Sequence, residues 1–93
     1  MFERILKRIR EKIRLREYVL TLHAEDEMND DGYTIYDVEH GILTGTILER
    51  QRDKLTAESK YRINGKTVEG KNIETLVKEG PTGKVVIVTL YEP

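Results

Sequence analysis

A chain of 93 residues with 38% apolar and 35% charged residues fits one domain with a small core. That balance excludes a disordered chain, and no apolar run approaches the roughly 18 residues of a membrane span. The absence of cysteine excludes disulfides, thiolate metal sites and a cysteine nucleophile. The N-terminal segment is charged throughout and lacks the apolar stretch of a signal peptide, so a cytoplasmic protein is expected. Abundant Glu and Lys beside only four Asn and Gln suits a thermophilic source.

The net charge of −1 conceals an asymmetry. Residues 1–17 carry seven Lys or Arg against three Glu, and residues 18–93 carry nine against fourteen acids. From Glu25 to Glu49 there are eight acidic residues and no Lys or Arg. Such a basic arm either contacts nucleic acid or docks on its own acidic body. Internal docking is the simpler expectation, because a small domain must bury its helices.

Residues 1–17 predict a basic amphipathic helix over about 2–16, with Phe2, Ile5, Leu6, Ile9 and Ile13 at helical spacing. Residues 18–45 predict a short strand and two helices. YVLTL (18–22) reads as a strand or an extended lead-in. Thr21 is the N-cap of a second helix, with His23 in its first turn and Glu25, Asp26 and Glu27 near its positive end. The DDG ending at Gly32 stops it. Thr34 and Asp37 form a capping box for a third helix whose buried stripe is Ile35, Val38, Ile42 and Leu43, with Gly45 as its stop.

Residues 46–93 predict a sheet. Strands are expected over 46–51, 59–64, 72–78 and 84–91, with turns at Asn64–Gly65 and at EGPTG (79–83). The last strand is apolar on both faces and is expected to be the most buried. The fold class is α+β, with N-terminal helices packed on a four-stranded antiparallel meander in a single domain spanning 1–93.

Chemistry-bearing patterns are sparse. His23 and Glu27 lie four apart, and His40 lies near Asp37 and Glu39, but no metal-binding motif is present, so no metal is expected. No phosphate-binding loop or dinucleotide fingerprint implies a cofactor; GKTVEG (65–70) lies between strands instead of before a helix. Ser59 is the only serine and lacks a nucleophile elbow. His23 remains the best candidate for acid–base work, because histidine exchanges protons near neutral pH. The alternative is a residue that merely caps or packs at a helix start.

Y-x-x-T-x-H-A-x-x-E-M at Tyr18–Met28, DVEHGILTG (37–45), TILE (46–49), YRINGKT (61–67) and VVIVTLY (85–91) together resemble a prokaryotic domain family of unknown function. That family is similar to the ribonuclease toxins of the barnase, EndoU, colicin and RelE type. The resemblance implies a RelE- or barnase-like fold and metal-independent RNA cleavage, in which the ribose 2′-hydroxyl attacks the adjacent phosphorus. It implies His23 as acid or base, Arg62 as the cation facing the phosphorane, Lys66 as a second cation, and Tyr91 as a polar catalytic group. The family's usual arginine is Glu27 here, which is assigned as a base or as the group orienting His23. Arg8 and Lys12, on the first helix, are candidate RNA contacts. An antitoxin protein is the expected partner, and no membrane association is expected. The alternative function is a non-catalytic protein-interaction module with the same fold.

Overall fold

The computed structural model describes residues 1–93. In chain order the elements are α1 (Glu3–Arg14), β1 (Tyr18–Leu20), α2 (Leu22–Asp30), α3 (Ile35–Leu43), β2 (Thr46–Arg52), β3 (Ser59–Lys66), β4 (Asn72–Glu79) and β5 (Val85–Tyr91). The α+β class holds, but the expected four-stranded antiparallel meander is corrected. The sheet has five strands, ordered β1-β5-β4-β3-β2. β2 to β5 pair antiparallel, and β1 pairs parallel with β5, Tyr18 opposite Val85. The short strand expected in YVLTL forms over Tyr18–Leu20, but its partner lies at the far end of the chain, so its place in the sheet was not expected.

The helices form one layer against one face of the sheet. Ile9 and Ile13 of α1, Ala24 of α2, and Val38 and Ile42 of α3 meet alternate residues of the strands: Tyr61 and Ile63, Ile73 and Val77, Val85, Ile87 and Leu90. No helix is long and apolar enough to cross a membrane. The basic arm docks on the domain. The Arg10 guanidinium donates to the Gly45 carbonyl at 2.7 Å, just past the C-terminus of α3 where the helix dipole is negative. Arg16 lies 3.8 Å from Glu39 of α3.

Both helix starts form as the residues dictate. The Thr21 hydroxyl accepts from the Ala24 amide at 3.1 Å, and Thr34 and Asp37 complete a reciprocal capping box. Gly32 follows α2 with φ +73°, the left-handed conformation glycine adopts without steric cost. α2 then lies along β5 beyond its pairing with β1. Thr21 donates to the Val88 carbonyl, and the Glu27 carboxylate accepts from the Leu90 amide and the Thr89 hydroxyl. An otherwise open strand edge is thereby closed.

Asn64–Gly65 is not a turn. β3 continues to Lys66 and the reversal falls at 67–71, where the Thr67 amide donates to the Lys71 carbonyl at 2.8 Å. Gly65 serves a close approach. A Cβ there would collide with the Gly41 carbonyl oxygen of α3. α3 ends at Leu43 with Thr44 as its cap and Gly45 directly after it; a Cβ on Gly45 would lie 2.6 Å from the same oxygen. Helix α3 therefore rests on β3 backbone to backbone.

Because the obstruction at Gly65 is rigid backbone, Gly65→Ala is expected to destabilise by about 2 kcal/mol or more, lowering the melting temperature by roughly 10 °C. Thr75 is fully buried and its hydroxyl has no partner, so Thr75→Val is expected to raise stability by about 1 kcal/mol. Thermal melts of both variants beside wild type check the pair.

Candidate functional site

Directly opposed residues of an antiparallel ladder point to the same face. Asn64 opposes Glu74, Glu74 opposes Tyr91, and Glu49 opposes Arg62. Core residues Tyr61, Ile63, Ile73 and Val77 alternate with them and face the helices. Arg62, Asn64, Glu74 and Tyr91 thus gather on the sheet face that no helix covers.

Glu74 is the centre of this group. It is 6% exposed, although no other layer of the protein lies above it. Its neighbours cover it. Arg62 Nη1 lies 3.2 Å from both carboxylate oxygens, Asn64 Nδ2 donates to Oε1 at 3.3 Å, and the Tyr91 hydroxyl donates to Oε2. Arg62 Nε donates to Glu49 on β2 at 3.1 Å, and Gln51 donates to the same oxygen at 2.7 Å.

Electrostatics follow from this geometry. Burial pushes the Glu74 carboxyl up, but hydrogen bonds from Tyr91, Arg62 and Asn64 together outweigh it and hold the group below its ordinary value. The Tyr91 phenol is raised, chiefly because it donates to Glu74 and secondarily by burial. Arg62 is raised by its hydrogen bonds to Glu74 and then Glu49. The result is an ionised carboxylate, a permanent cation and a protonated phenol in mutual contact.

Of the residues expected to act, Arg62 and Tyr91 come together on Glu74. His23 and Glu27 form a second group, with Nε2 to Oε1 at 3.1 Å. His23 is exposed, and no hydrogen bond or ion pair joins this group to Arg62, Glu74 or Tyr91. Lys66 lies on the open face of β3 and donates to Asn72 at 2.5 Å. Arg8 and Lys12 sit in the helical layer, paired with Glu79 at 2.8 Å and Glu17 at 3.1 Å. Glu74, Asn64 and Glu49 escaped the sequence reading. Alternation in NIETLVKE sets Glu74 opposite in phase to the core residues Ile73 and Val77, and that is the one signal that could have found it.

A family model described as a domain of unknown function, DUF4258, matches residues 20–92. The chain belongs to that family. The DUF4258 match begins in β1 and runs past β5, so it contains both side-chain groups and leaves out α1. No curated protein and no solved structure matches the chain.

No three His, Asp or Glu side chains of this DUF4258 protein are placed to hold a metal ion together. The surface has two hollows, one of about 80 Å³ beside Tyr33 and one of about 390 Å³ between α1 and β2, and neither contains Arg62, Glu74 or Tyr91. The group thus lies on an open face, outside both hollows.

A carboxyl whose folded-state pKa is depressed adds stability above its unfolded value of about 4.3, and that stability is lost as pH falls through the folded value. Wild type is thus expected to lose stability steeply below about pH 4. Glu74→Gln is expected to be less stable at pH 7 and to lose less over the acid interval. Urea titrations across pH check this; parallel curves would contradict it.

Proposed function

We propose that this protein cleaves single-stranded RNA on the open face of its sheet, without a metal, with Glu74, Arg62 and Tyr91 as the reacting set. The carrying observation is a buried carboxylate gathered with an arginine and a tyrosine on a face that no layer covers. The reading places the domain among the ribonuclease toxins of the barnase and RelE type. In that setting an antitoxin would cover the same face.

Glu74 takes the proton of the ribose 2′-hydroxyl as the bond from O2′ to phosphorus forms. Arg62 offsets charge on the non-bridging oxygens. The bond from phosphorus to O5′ breaks, and Tyr91 gives its proton to the departing O5′. The products are a 2′,3′-cyclic phosphate and a 5′-hydroxyl. Glu74 then returns its proton to the Tyr91 oxygen through their direct hydrogen bond, which restores both groups. Glu74 is held low and is a weak base, so most of the rate comes from positioning and from Arg62. His23 has no step in this scheme, and Glu27 fastens α2 to β5.

One observation favours the second reading, a protein-interaction module without catalysis. Both oxygens of Glu74 are already engaged by three side chains.

Labelled RNA incubated in chelator decides between them. Wild type is expected to produce cyclic phosphate ends. Tyr91→Phe and Arg62→Lys are each expected to lose about 100-fold or more in rate, while His23→Ala retains activity. No cleavage at high protein and low salt would leave the interaction module. Cleavage lost in His23→Ala but kept in Tyr91→Phe would move the chemistry to α2.

A further inference from the structure

The outward row of β3 is Lys60, Arg62, Asn64 and Lys66, every second residue of the strand. Each step along it is about 6.8 Å. Two lysines therefore flank Arg62 at whole multiples of that step, Lys60 one step before it and Lys66 two steps after it, with Asn64 between. Lys60 directly opposes Lys78 on β4, a like-charge pair that is unfavourable for the sheet. Lys78 is relieved by Glu58 at 2.8 Å, but Lys60 has no ion-pair or hydrogen-bond partner. The nearby Asp53 carboxylate accepts instead from the Leu55 and Thr56 amides at 2.8 and 3.2 Å. An uncompensated cation opposite another cation costs the fold stability and attracts an anion.

From this arrangement we infer that the outward row of β3 is a track for the backbone of a single-stranded RNA. One phosphate rests on Lys60 with Lys78 beside it, the scissile phosphate on Arg62, and a further phosphate on Lys66. The inference rests on the RNA-cleaving reading and adds to it the register of the strand. Cations at whole multiples of one step along a single strand, with the reacting group between the lysines, fit a regular polyanion better than an irregular acidic protein segment. The acidic run of α2 and α3 belongs to the helical layer on the opposite face of the sheet, which leaves the row of β3 as the cationic surface.

The test is fluorescence anisotropy with a short 2′-O-methyl oligouridine, which binds but cannot be cleaved, between about 50 and 200 mM salt. Wild type is expected to bind with a negative slope of log affinity on log salt. Lys60→Ala and Lys66→Ala are each expected to flatten that slope by about 0.7, one single-strand phosphate each. Lys7→Ala on α1 is expected to match wild type. Lys60→Ala should melt no lower than wild type, because it removes a like-charge opposition. In cleavage assays the two lysine variants should raise KM several-fold and leave kcat unchanged.

Slopes unaltered in both β3 variants overturn the track, even where cleavage is found. Flattened slopes without any cleavage uphold the track and remove the catalytic reading instead. Binding of a poly-glutamate peptide through the same lysines, with no binding of the oligouridine, overturns the track in favour of an acidic protein partner.

Discussion

The backbone contact between Gly41 of α3 and Gly65 of β3 sets the geometry on which the rest of this domain depends. It brings a helix and a strand closer than any side chain permits. At that separation, α3 can exchange hydrogen bonds with the end of β3 directly. His40 Nδ1 meets the Lys66 carbonyl at 2.7 Å; because a carbonyl only accepts, Nδ1 carries the proton. The Lys66 amide donates to the Thr44 hydroxyl at 3.0 Å, and the Val68 amide donates to Asp37 at 3.2 Å. The capping box of α3 and the turn after β3 are thus held by the same aspartate. A strand pinned at one end in this way holds the outward side chains of β3, Arg62 among them, in fixed register against β4.

Fixed register matters because the open face is a polar network without a covering layer. Buried charge is tolerated only when it is paired and fully hydrogen-bonded. Glu74 meets that condition through residues of the two strands that flank it, β3 and β5, so a slip of either strand would leave the carboxylate short of partners. The same arrangement separates charge across the molecule. Acids of α2 and the N-terminal part of α3 lie on one side, cations of β3 and β4 on the other, and a near-zero net charge conceals both. The basic arm is tied to the rest of the domain through Arg8 and Arg10 of the first helix and Arg16 just after it.

Local chemistry made much of this legible. The caps at Thr21 and Thr34, the apolar stripe of α1 and the α+β order all follow from residues within a few positions of one another. Arg62 and Tyr91 were also within reach, as polar residues on predicted strands. Two misreadings share a cause, which is that tertiary contact overrode a local signal. Asn64–Gly65 has the strongest short hairpin signature in the chain, yet the glycine is required by α3 and not by a turn. A strand ending at Asn64 leaves the register of β3 on β4 undefined, so the pairing of Asn64 with Glu74 was hidden. β1 itself is legible in YVLTL, but its place in the sheet is not, because parallel pairing between residues 18–20 and 85–87 leaves no mark in either segment. His23 stands out in the sequence as a histidine at a helix start, while the carboxylate at the centre of the open face sits inside an ordinary β-rich strand.

The most direct test is amide chemical-shift mapping of isotope-labelled protein titrated with a non-cleavable single-stranded RNA. If the open face is the working surface, the largest shifts fall on β3 from Lys60 to Lys66, on Glu74 and on Tyr91, and α1 is unmoved. Shifts confined to α1 or α2, or no shifts at millimolar RNA and low salt, would contradict the assignment of this face to RNA.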